Sequence, residues 1–532
     1  KASRWPLLSG ILIGTTYVPF PPWALAFCYA PLFLWLDEDV QTRKQAFFGG
    51  WLTQFTLSLI GFHWIAYTAK EFGGFPWSLS VIALLLFAAF IHLHIPLASL
   101  AAFELKKRFG IRGAPLLFTT ALIFALVERI WPMIFPWHLG YTLLWAKLPI
   151  YHWADVIGFA GLSTLVFLLN AWLSWIWQKQ DKTEIVFKHV TILGVVLIAL
   201  TLGGLWRKKA WKSTDSVLNV IGVQANIGNL EKIYAEQGLG YHYTILQKFI
   251  DLSRKGAQEA GSADLFVWPE TAVAFSPDRP EFSQRYLDVL REGLGDLQMP
   301  ILTGSFSKDP SYTGLAKDSR TYNALSLIGP NGRLMTKPYR KTHLLIFGEY
   351  LPFSDDFPIL LKWLPFISSF GRGQGPVAMD LRVRSQAPVK VGGQICYEGL
   401  FPDFTRGLSE KGADLLVNVT NDSWFGTPFE PRQHMIMTLA RAIEVRRPLI
   451  RSTNTGITTA ILASGDQLQR SPSDREWTGR FEIKFRKNAE QTLFVRFGHL
   501  DWILWISILI GLTIWAAREA KKGHWDERLH GS

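Results

Sequence analysis

Charge is scarce in this chain of 532 residues: only 18% are Asp, Glu, Lys or Arg, against about a quarter in soluble domains. That shortage excludes an ordinary, fully hydrated surface. Cysteine is scarcer still. Cys28 sits in an apolar run and Cys396 in a polar region, so a disulfide framework is excluded and the two are not expected to pair. Internal repeats and low-complexity tracts are absent, which rules out solenoid and tail-like architectures. Neither His343 nor His434 has a Cys or His at ligand spacing, so both are read as structural and no metal or cofactor is expected.

What is abundant is apolar. Hydrophobic residues make up 49%, with 23 Trp and 37 Phe, and Trp favours the boundary between hydrocarbon and head groups. The net charge of +12 could suggest nucleic acid, but the basic residues cluster beside apolar runs, as cytoplasmic loops do, and no nucleic-acid partner is expected.

Apolar stretches of roughly spanning length occupy 6–18, 23–36, 47–68, 77–103, 115–131, 156–177, 190–206 and 500–517, where about 20 residues cross a bilayer. That is eight crossings, the first two short. The chain opens on Lys1 rather than Met, so a trimmed start is expected, with the first stretch kept as a helix because further spans follow at once. Arg43 and Lys44, then Lys106, Lys107, Arg108 and Arg112, then Lys179, Lys182 and Lys188, then Arg518, Lys521 and Lys522 fall in every second gap or tail. Those gaps read as cytoplasmic, which places both termini inside and the long segment before the last helix outside. Arg207, Lys208, Lys209 and Lys212 oppose this locally, but long domains translocate largely regardless of charge. Lys106-Lys107-Arg108 reads as a topology signal that also attracts anionic lipid. Glu128 and Arg129, near a helix end, are expected to pair with each other at the interface, with a lipid head group as the alternative.

The expected domains are a transmembrane bundle of seven helices over 1–213, a catalytic domain over 214–498, a final transmembrane helix over 499–519 and a cytoplasmic tail over 520–532. Within the second, 217–224, 265–268, 301–306, 324–328, 389–395, 415–419, 449–452 and 458–462 read as strands. Helical periodicity covers 241–254, 283–295 and 433–446, and 207–215 and 471–478 read as linkers. Strands interleaved with helices imply a layered α/β fold.

Three features follow predicted strands, where α/β folds place reactive groups. In Val267-Trp268-Pro269-Glu270 a carboxylate beside Trp268 suits a general base, or a strand-ending salt bridge. The stretch Lys337-Pro338-Tyr339-Arg340-Lys341 offers a cation for a developing oxyanion, or a basic surface turn, and spacing does not choose between Lys337, Arg340 and Lys341. In Gly392-Gly393-Gln394-Ile395-Cys396-Tyr397-Glu398 a cysteine on a tight turn suits a nucleophile activated by backbone N–H groups, or an inert buried thiol.

Glu, Lys and Cys in that order resemble the nitrilase superfamily. With the membrane helices the chain resembles the apolipoprotein N-acyltransferase family. Further signatures are Phe135-Pro136-Trp137 with Gly140-Tyr141, Phe347-Gly348-Glu349, Asn421-Asp422-Ser423-Trp424-Phe425-Gly426 and Arg451-Ser452-Thr453-Asn454-Thr455-Gly456. The resemblance implies an α-β-β-α sandwich, a triad of Glu270, Lys341 and Cys396, and supporting residues Glu349, Tyr397 and Glu398. There are two departures: Lys232-Ile233-Tyr234 lacks the family's Trp, and Ile346 replaces its Pro before Phe-Gly-Glu.

What the resemblance implies is acyl transfer. A phospholipid donates a fatty acyl chain to Cys396, and the α-amino group of a diacylglyceryl-cysteine on an apolipoprotein receives it. The expected setting is the bacterial inner membrane, with the catalytic domain periplasmic, membrane lipid around a monomer, and no cofactor. Aromatic, Gly- and Pro-containing segments at 347–355 and 424–431 are expected lids. A tethered amidase using water as acceptor, and a non-catalytic lipoprotein receptor, are the alternatives.

Overall fold

The computed structural model describes residues 4–228, 241–261, 263–309, 321–354, 356–357, 359, 362, 369–383, 388–426 and 428–529. The stretch Lys232-Ile233-Tyr234 lies outside them, as do Asp355 and Thr427 of the expected lids. The chain divides into two compact units, Lys1–Lys70 with Gly74–Arg207 and Arg496–Ser532, and Glu71–Gly73 with Lys208–Val495.

The first unit is helical: α1 (Arg4–Gly14), α2 (Ala30–Glu38), α3 (Arg43–Gly61), α4 (Trp64–Glu71), α5 (Trp77–Phe90), α6 (His94–Phe109), α7 (Ala114–Ile130), α8 (Gly140–Trp145), α9 (Ala154–Gln178) and α10 (Thr183–Ala210), with the C-terminal helix described last. Local chemistry sets several ends. Thr42 and Gln45 form a reciprocal capping box at the start of α3, which satisfies two otherwise orphaned N–H groups. Lys106 has a role the sequence did not suggest: its Nζ donates to the carbonyls of Leu36 at 3.0 Å, Asp37 at 2.5 Å and Val40 at 3.2 Å, closing the C-terminus of α2 where a cation is favoured.

Helices occupy every one of the apolar stretches, but among the described residues four helical runs are long and apolar enough to cross a membrane, Trp77–Phe109, Pro149–Gln178, Thr183–Ala210 and Trp502–Glu519. Length accounts for three of the stretches, since α1 and α2 have 11 and 9 residues and α7 has 17, below the roughly 20 a bilayer needs; α3 has 19 and falls short by composition, with Arg43, Lys44, Gln45 and Gln54 in it. In α10 only Leu193 and Gly204 are buried, while Phe187, Val195, Ile198, Leu202 and Trp206 are exposed. A helix apolar on every face suits lipid, not water. Gly203 and Gly204 permit a close approach, since a Cβ would lie 2.5 Å from the Trp153 ring at the first and 2.1 Å from the Pro149 carbonyl oxygen at the second. The buried Glu128 carboxylate accepts a partner the sequence did not suggest, His138 Nδ1 at 2.6 Å.

The second unit is built from β1 (Ser216–Gln224), α11 (Tyr241–Ala260), β2 (Leu265–Val267), α12 (Pro280–Leu294), β3 (Ile301–Lys308), β4 (Thr321–Ile328), β5 (Tyr339–Arg340), β6 (Ala378–Leu381), β7 (Val389–Ile395), α13 (Pro402–Glu410), β8 (Leu415–Thr420), α14 (Phe429–Val445), β9 (Leu449–Thr453), β10 (Thr459–Ile461), β11 (Gln467–Arg470) and β12 (Trp477–Phe485). After it come α15 (Leu493–Phe497) and α16 (Asp501–Leu529). One sheet runs β12-β1-β2-β3-β4-β5 and the other β11-β10-β9-β8-β7-β6. Each has three parallel central strands, β1-β2-β3 and β7-β8-β9, flanked by antiparallel ones.

The sheets stack face to face, β1 on β9, β3 on β8 and β4 on β7, with α11 and α12 outside one and α13 and α14 outside the other. Continuous burial of β8 and β9 is what strands covered on both faces require. A polar seam joins the sheets: Gln224 Oε1 accepts from the hydroxyls of Thr453, Thr458 and Ser471. The polar run 471–478, read as a linker, leads into β12, whose buried Phe481, Ile483 and Phe485 alternate with exposed charge, as an edge strand does.

Candidate active site

Three turns at strand ends converge. The first follows β2, where Gly304 of β3 lies so near that a Cβ would sit 2.5 Å from Glu270 Cα. Gly304 N–H donates to the Pro269 carbonyl at 3.1 Å and Val273 N–H to the Gly304 carbonyl at 3.0 Å, so β3 holds the turn carrying Glu270. The Glu270 carboxylate accepts from Asn323 Nδ2 at 2.8 Å and from the Asn421 N–H at 3.0 Å.

The second turn follows β5 and gives three cations different surroundings. Lys337 is exposed. Arg340 is engaged by Ser307, Asp309 and the Lys308 carbonyl. Lys341 is 1% exposed, and its Nζ lies 3.3 Å from Glu270 Oε1 and 2.8 Å from Glu349 Oε1. Burial alone would lower its pKa, but Glu270 and Glu349 together hold it above the usual lysine range, so it is an ammonium. Asn323 Nδ2 also donates to Glu349 at 2.8 Å, and the Leu345 N–H fixes that carboxylate at 2.9 Å.

The third turn follows β7. Cys396 has φ 49°, a left-handed conformation that costs a non-glycine residue about 1–2 kcal/mol; such outliers persist where surroundings enforce them. Glu398 is one enforcer. Its carboxylate accepts from the Ile395 N–H at 2.8 Å, the Thr342 N–H at 2.6 Å, the His343 N–H at 3.1 Å and Tyr339 Oη at 2.5 Å. It thus ties the cysteine turn to the lysine turn, although burial pushes its pKa up to about 7 against those hydrogen bonds. Tyr397 is buried, with its ring edge-on to Phe401 at 4.9 Å.

Glu270, Lys341, Glu349 and Cys396 line one cavity of about 130 Å³ with Asn323, Asn421, Trp424 and Phe425. Gly348 from one expected lid segment, with Leu345, Phe72 and Phe370, completes its lining. Tyr397 and Glu398 are not among the cavity's lining residues. Asn323 and Tyr339, which sequence reasoning did not single out, prove central, because strand pairing alone brings β4 and β5 beside Glu270. His343 stacks on Phe401 at 4.6 Å. His434, Asp422 and Glu430 bring three ligand-capable atoms within 4.8 Å of one another, but the Arg451 guanidinium already sits 2.7 Å from Asp422 Oδ2, giving that carboxylate its countercharge.

Burial, then the Glu270 carboxylate, push the Cys396 thiol well above the usual range, while Lys341 and the Thr420 hydroxyl pull less strongly downward. The resting sulfur is a thiol, and its proton must be taken at the moment of attack. The pH consequence follows directly: as thiolate is the reactive form, the rate of Cys396 alkylation by iodoacetamide is expected to climb about tenfold per pH unit from pH 7 to 9. A plateau below pH 8 in a mass-spectrometric time course would contradict this.

A family model described as carbon-nitrogen hydrolase matches residues 223–476, and one described as apolipoprotein N-acyltransferase N-terminal domain matches residues 9–172. The apolipoprotein N-acyltransferase of Bdellovibrio bacteriovorus is 56% identical over 511 residues, covering 96% of this chain and 93% of that one. That of Geobacter metallireducens is 30% identical over 516 residues, covering 94% and 92%. Among solved structures, an amidase from Nesterenkonia sp. aligns with 53% of this chain and 96% of its own at 15% identity, with a TM-score of 0.36. Matched nearly end to end by relatives of one kind, the chain belongs to the apolipoprotein N-acyltransferase family.

Proposed function

We propose that the chain moves a fatty acyl group from a phospholipid, through a thioester on Cys396, to the α-amino group of a diacylglyceryl-cysteine at the N-terminus of an apolipoprotein. The observation that carries this is the Lys341 ammonium, 3.3 Å from Glu270 and 2.8 Å from Glu349, in the same cavity as Cys396. Glu270 accepts the thiol proton as Sγ attacks the ester carbonyl, and Lys341 stabilises the oxyanion. Collapse breaks the C–O bond, Glu270 returns the proton to the departing alkoxide, and lysophospholipid leaves. In the second half the amine attacks the thioester, Glu270 takes its proton, and the Cys396 thiol is restored. Glu349, Tyr397 and Glu398 hold these groups in place.

Eight crossings put both termini in the cytoplasm and the catalytic domain, 214–498, on the periplasmic side of the inner membrane, with the chain acting as a monomer. Helices before and after the domain in the chain tether it where lipid tails stay in hydrocarbon, which avoids about 0.8 kcal/mol per CH₂, on the order of 10 kcal/mol for a whole fatty chain. The apolar segments at 347–355 and 424–431 act as lids that exclude water from the thioester.

The test is mass spectrometry of purified protein incubated with phospholipid vesicles. The peptide containing Cys396 is expected to gain one acyl group, and a diacylglyceryl-cysteine peptide to discharge it as an amide. Release of free fatty acid with the peptide unacylated would make water the acceptor and sink the transferase reading.

A further inference from the structure

The acyl-transfer chemistry leaves one buried cluster unused. Arg451, wholly buried on β9, extends two chains of hydrogen bonds. Its Nη1 donates to Asn418 Oδ1 at 2.9 Å, and Asn418 Nδ2 donates to the Cys396 carbonyl oxygen at 3.2 Å. Its Nη2 donates to Asp422 Oδ2 at 2.7 Å, Asp422 Oδ1 lies 3.0 Å from His434 Nδ1, and His434 Nε2 lies 3.4 Å from the same carbonyl. Both chains begin on one guanidinium and end on the two lone pairs of one oxygen. The carbonyl and the Asp422 carboxylate both only accept, so each ring nitrogen holds its partner when it carries a hydrogen.

The same stretch touches the base. Asn421 N–H holds Glu270 Oε2 at 3.0 Å, one residue before Asp422, and Thr420 Oγ1 reaches Asp422 Oδ1 at 3.3 Å. Residues 418–422 therefore connect the carboxylate on one sheet to the cysteine turn on the other. The turn needs such a hold, because Cys396 is left-handed and a released carbonyl would let it rotate to an ordinary conformation. A planar trans peptide then moves as one piece with that carbonyl.

We infer that Arg451 is a positioning residue for the nucleophile, which through Asn418 and His434 pins the peptide after Cys396 and so fixes the direction in which Sγ meets the acyl carbonyl. This rests on Cys396 being acylated, as proposed above. Acylation demands sulfur and oxyanion donors aligned to about half an ångström, whereas alkylation by iodoacetamide demands only ionised sulfur. The two reactions therefore separate positioning from simple damage.

Removing Arg451 would strand buried Asp422, so the arms are better targets. Asn418→Asp keeps an acceptor for Arg451 but turns the donor toward Cys396 into an acceptor; His434→Asn keeps the Asp422 side of the ring and loses the Cys396 side; His434→Gln restores a donor near Nε2. In the full chain, with phosphatidylethanolamine vesicles, Asn418→Asp and His434→Asn are expected to slow acylation of Cys396 about tenfold or more at unchanged KM, with alkylation within about twofold. His434→Gln is expected to stay within about threefold of the wild type. Acylation at the wild-type rate in both arms, or acylation and alkylation falling together, would overturn the inference. A wild-type chain that takes no acyl group would instead remove the transferase reading and this one with it.

Discussion

Replacing Cys396 with Ala is expected to abolish N-acylation, by at least about a thousandfold, while leaving the fold intact. Cys396 is the one cysteine lining a cavity in which a buried ammonium and two carboxylates already stand, and no split of the reaction into two steps survives without the sulfur. Ala tolerates the left-handed backbone about as well as Cys, and the pinned carbonyl is untouched, so melting temperature is expected within a few degrees of the wild type. Cys396→Ser keeps a hydroxyl, but a much poorer nucleophile at neutral pH, and is expected to retain at most about 1% of activity. The assay is acylation of a diacylglyceryl-cysteine peptide followed by mass spectrometry. Near-normal turnover by the Ala variant would show that acyl transfer takes another route.

Lys341→Met is the second large effect, and it falls on stability as well as rate. The ammonium, 1% exposed, is the countercharge shared by Glu270 and Glu349; without it two carboxylates face each other across Asn323. Breaking a buried pair by deleting one partner costs about 3–5 kcal/mol, and losing an oxyanion stabiliser costs about 10²–10³ in rate. The pH dependence discriminates. In the wild type the lysine's folded pKa lies above its unfolded one, so its contribution is fully present below the unfolded value and is lost only as pH rises beyond it, in strongly alkaline solution. In the variant that alkaline loss of stability is expected to disappear, because the group that titrates there is gone. Adding Glu349→Gln is expected to recover much of the stability and none of the rate. Equal melting temperatures for Lys341→Met and wild type at pH 7 would refute the assigned role of the ammonium.

Much of the site was legible because its three polar side chains each follow a strand. The run before Glu270 is continuously apolar, as doubly covered strands must be, and the run before Cys396 is a β-rich stretch with two glycines close to its end. The lysine was harder. Lys337, Arg340 and Lys341 have equal claims in one dimension, and only the antiparallel pairing of β5 with β4, which sets Ala324 opposite Arg340, turns Lys341 inward and Arg340 toward Asp309. Asn323 carried no local mark at all. It became central because the next strand pair placed it beside two carboxylates, 53 and 26 residues distant in sequence.

The membrane part shows the same division. Apolar composition marked the longer helices but not the six-residue α8, since hydrophobicity is a property of the residues themselves, while a helix's length depends on where caps and neighbours stop it. Hence α1 and α2 ended at 11 and 9 residues. Likewise Glu128 was visible as a costly charge in an apolar helix, while its partner His138 was not, because that partner comes from the turn after α7.

By itself, then, the sequence determined which segments avoid water, which form strands, and which few side chains can exchange protons or attack a carbonyl, because each of these depends on residue type and near neighbours. Only the tertiary structure decided which cation lies between the carboxylates, what else holds them, and how Arg451 reaches the cysteine carbonyl through Asn418 and Asp422. Those are distances between groups far apart in the chain, set by strand order and sheet stacking, and no local pattern encodes them.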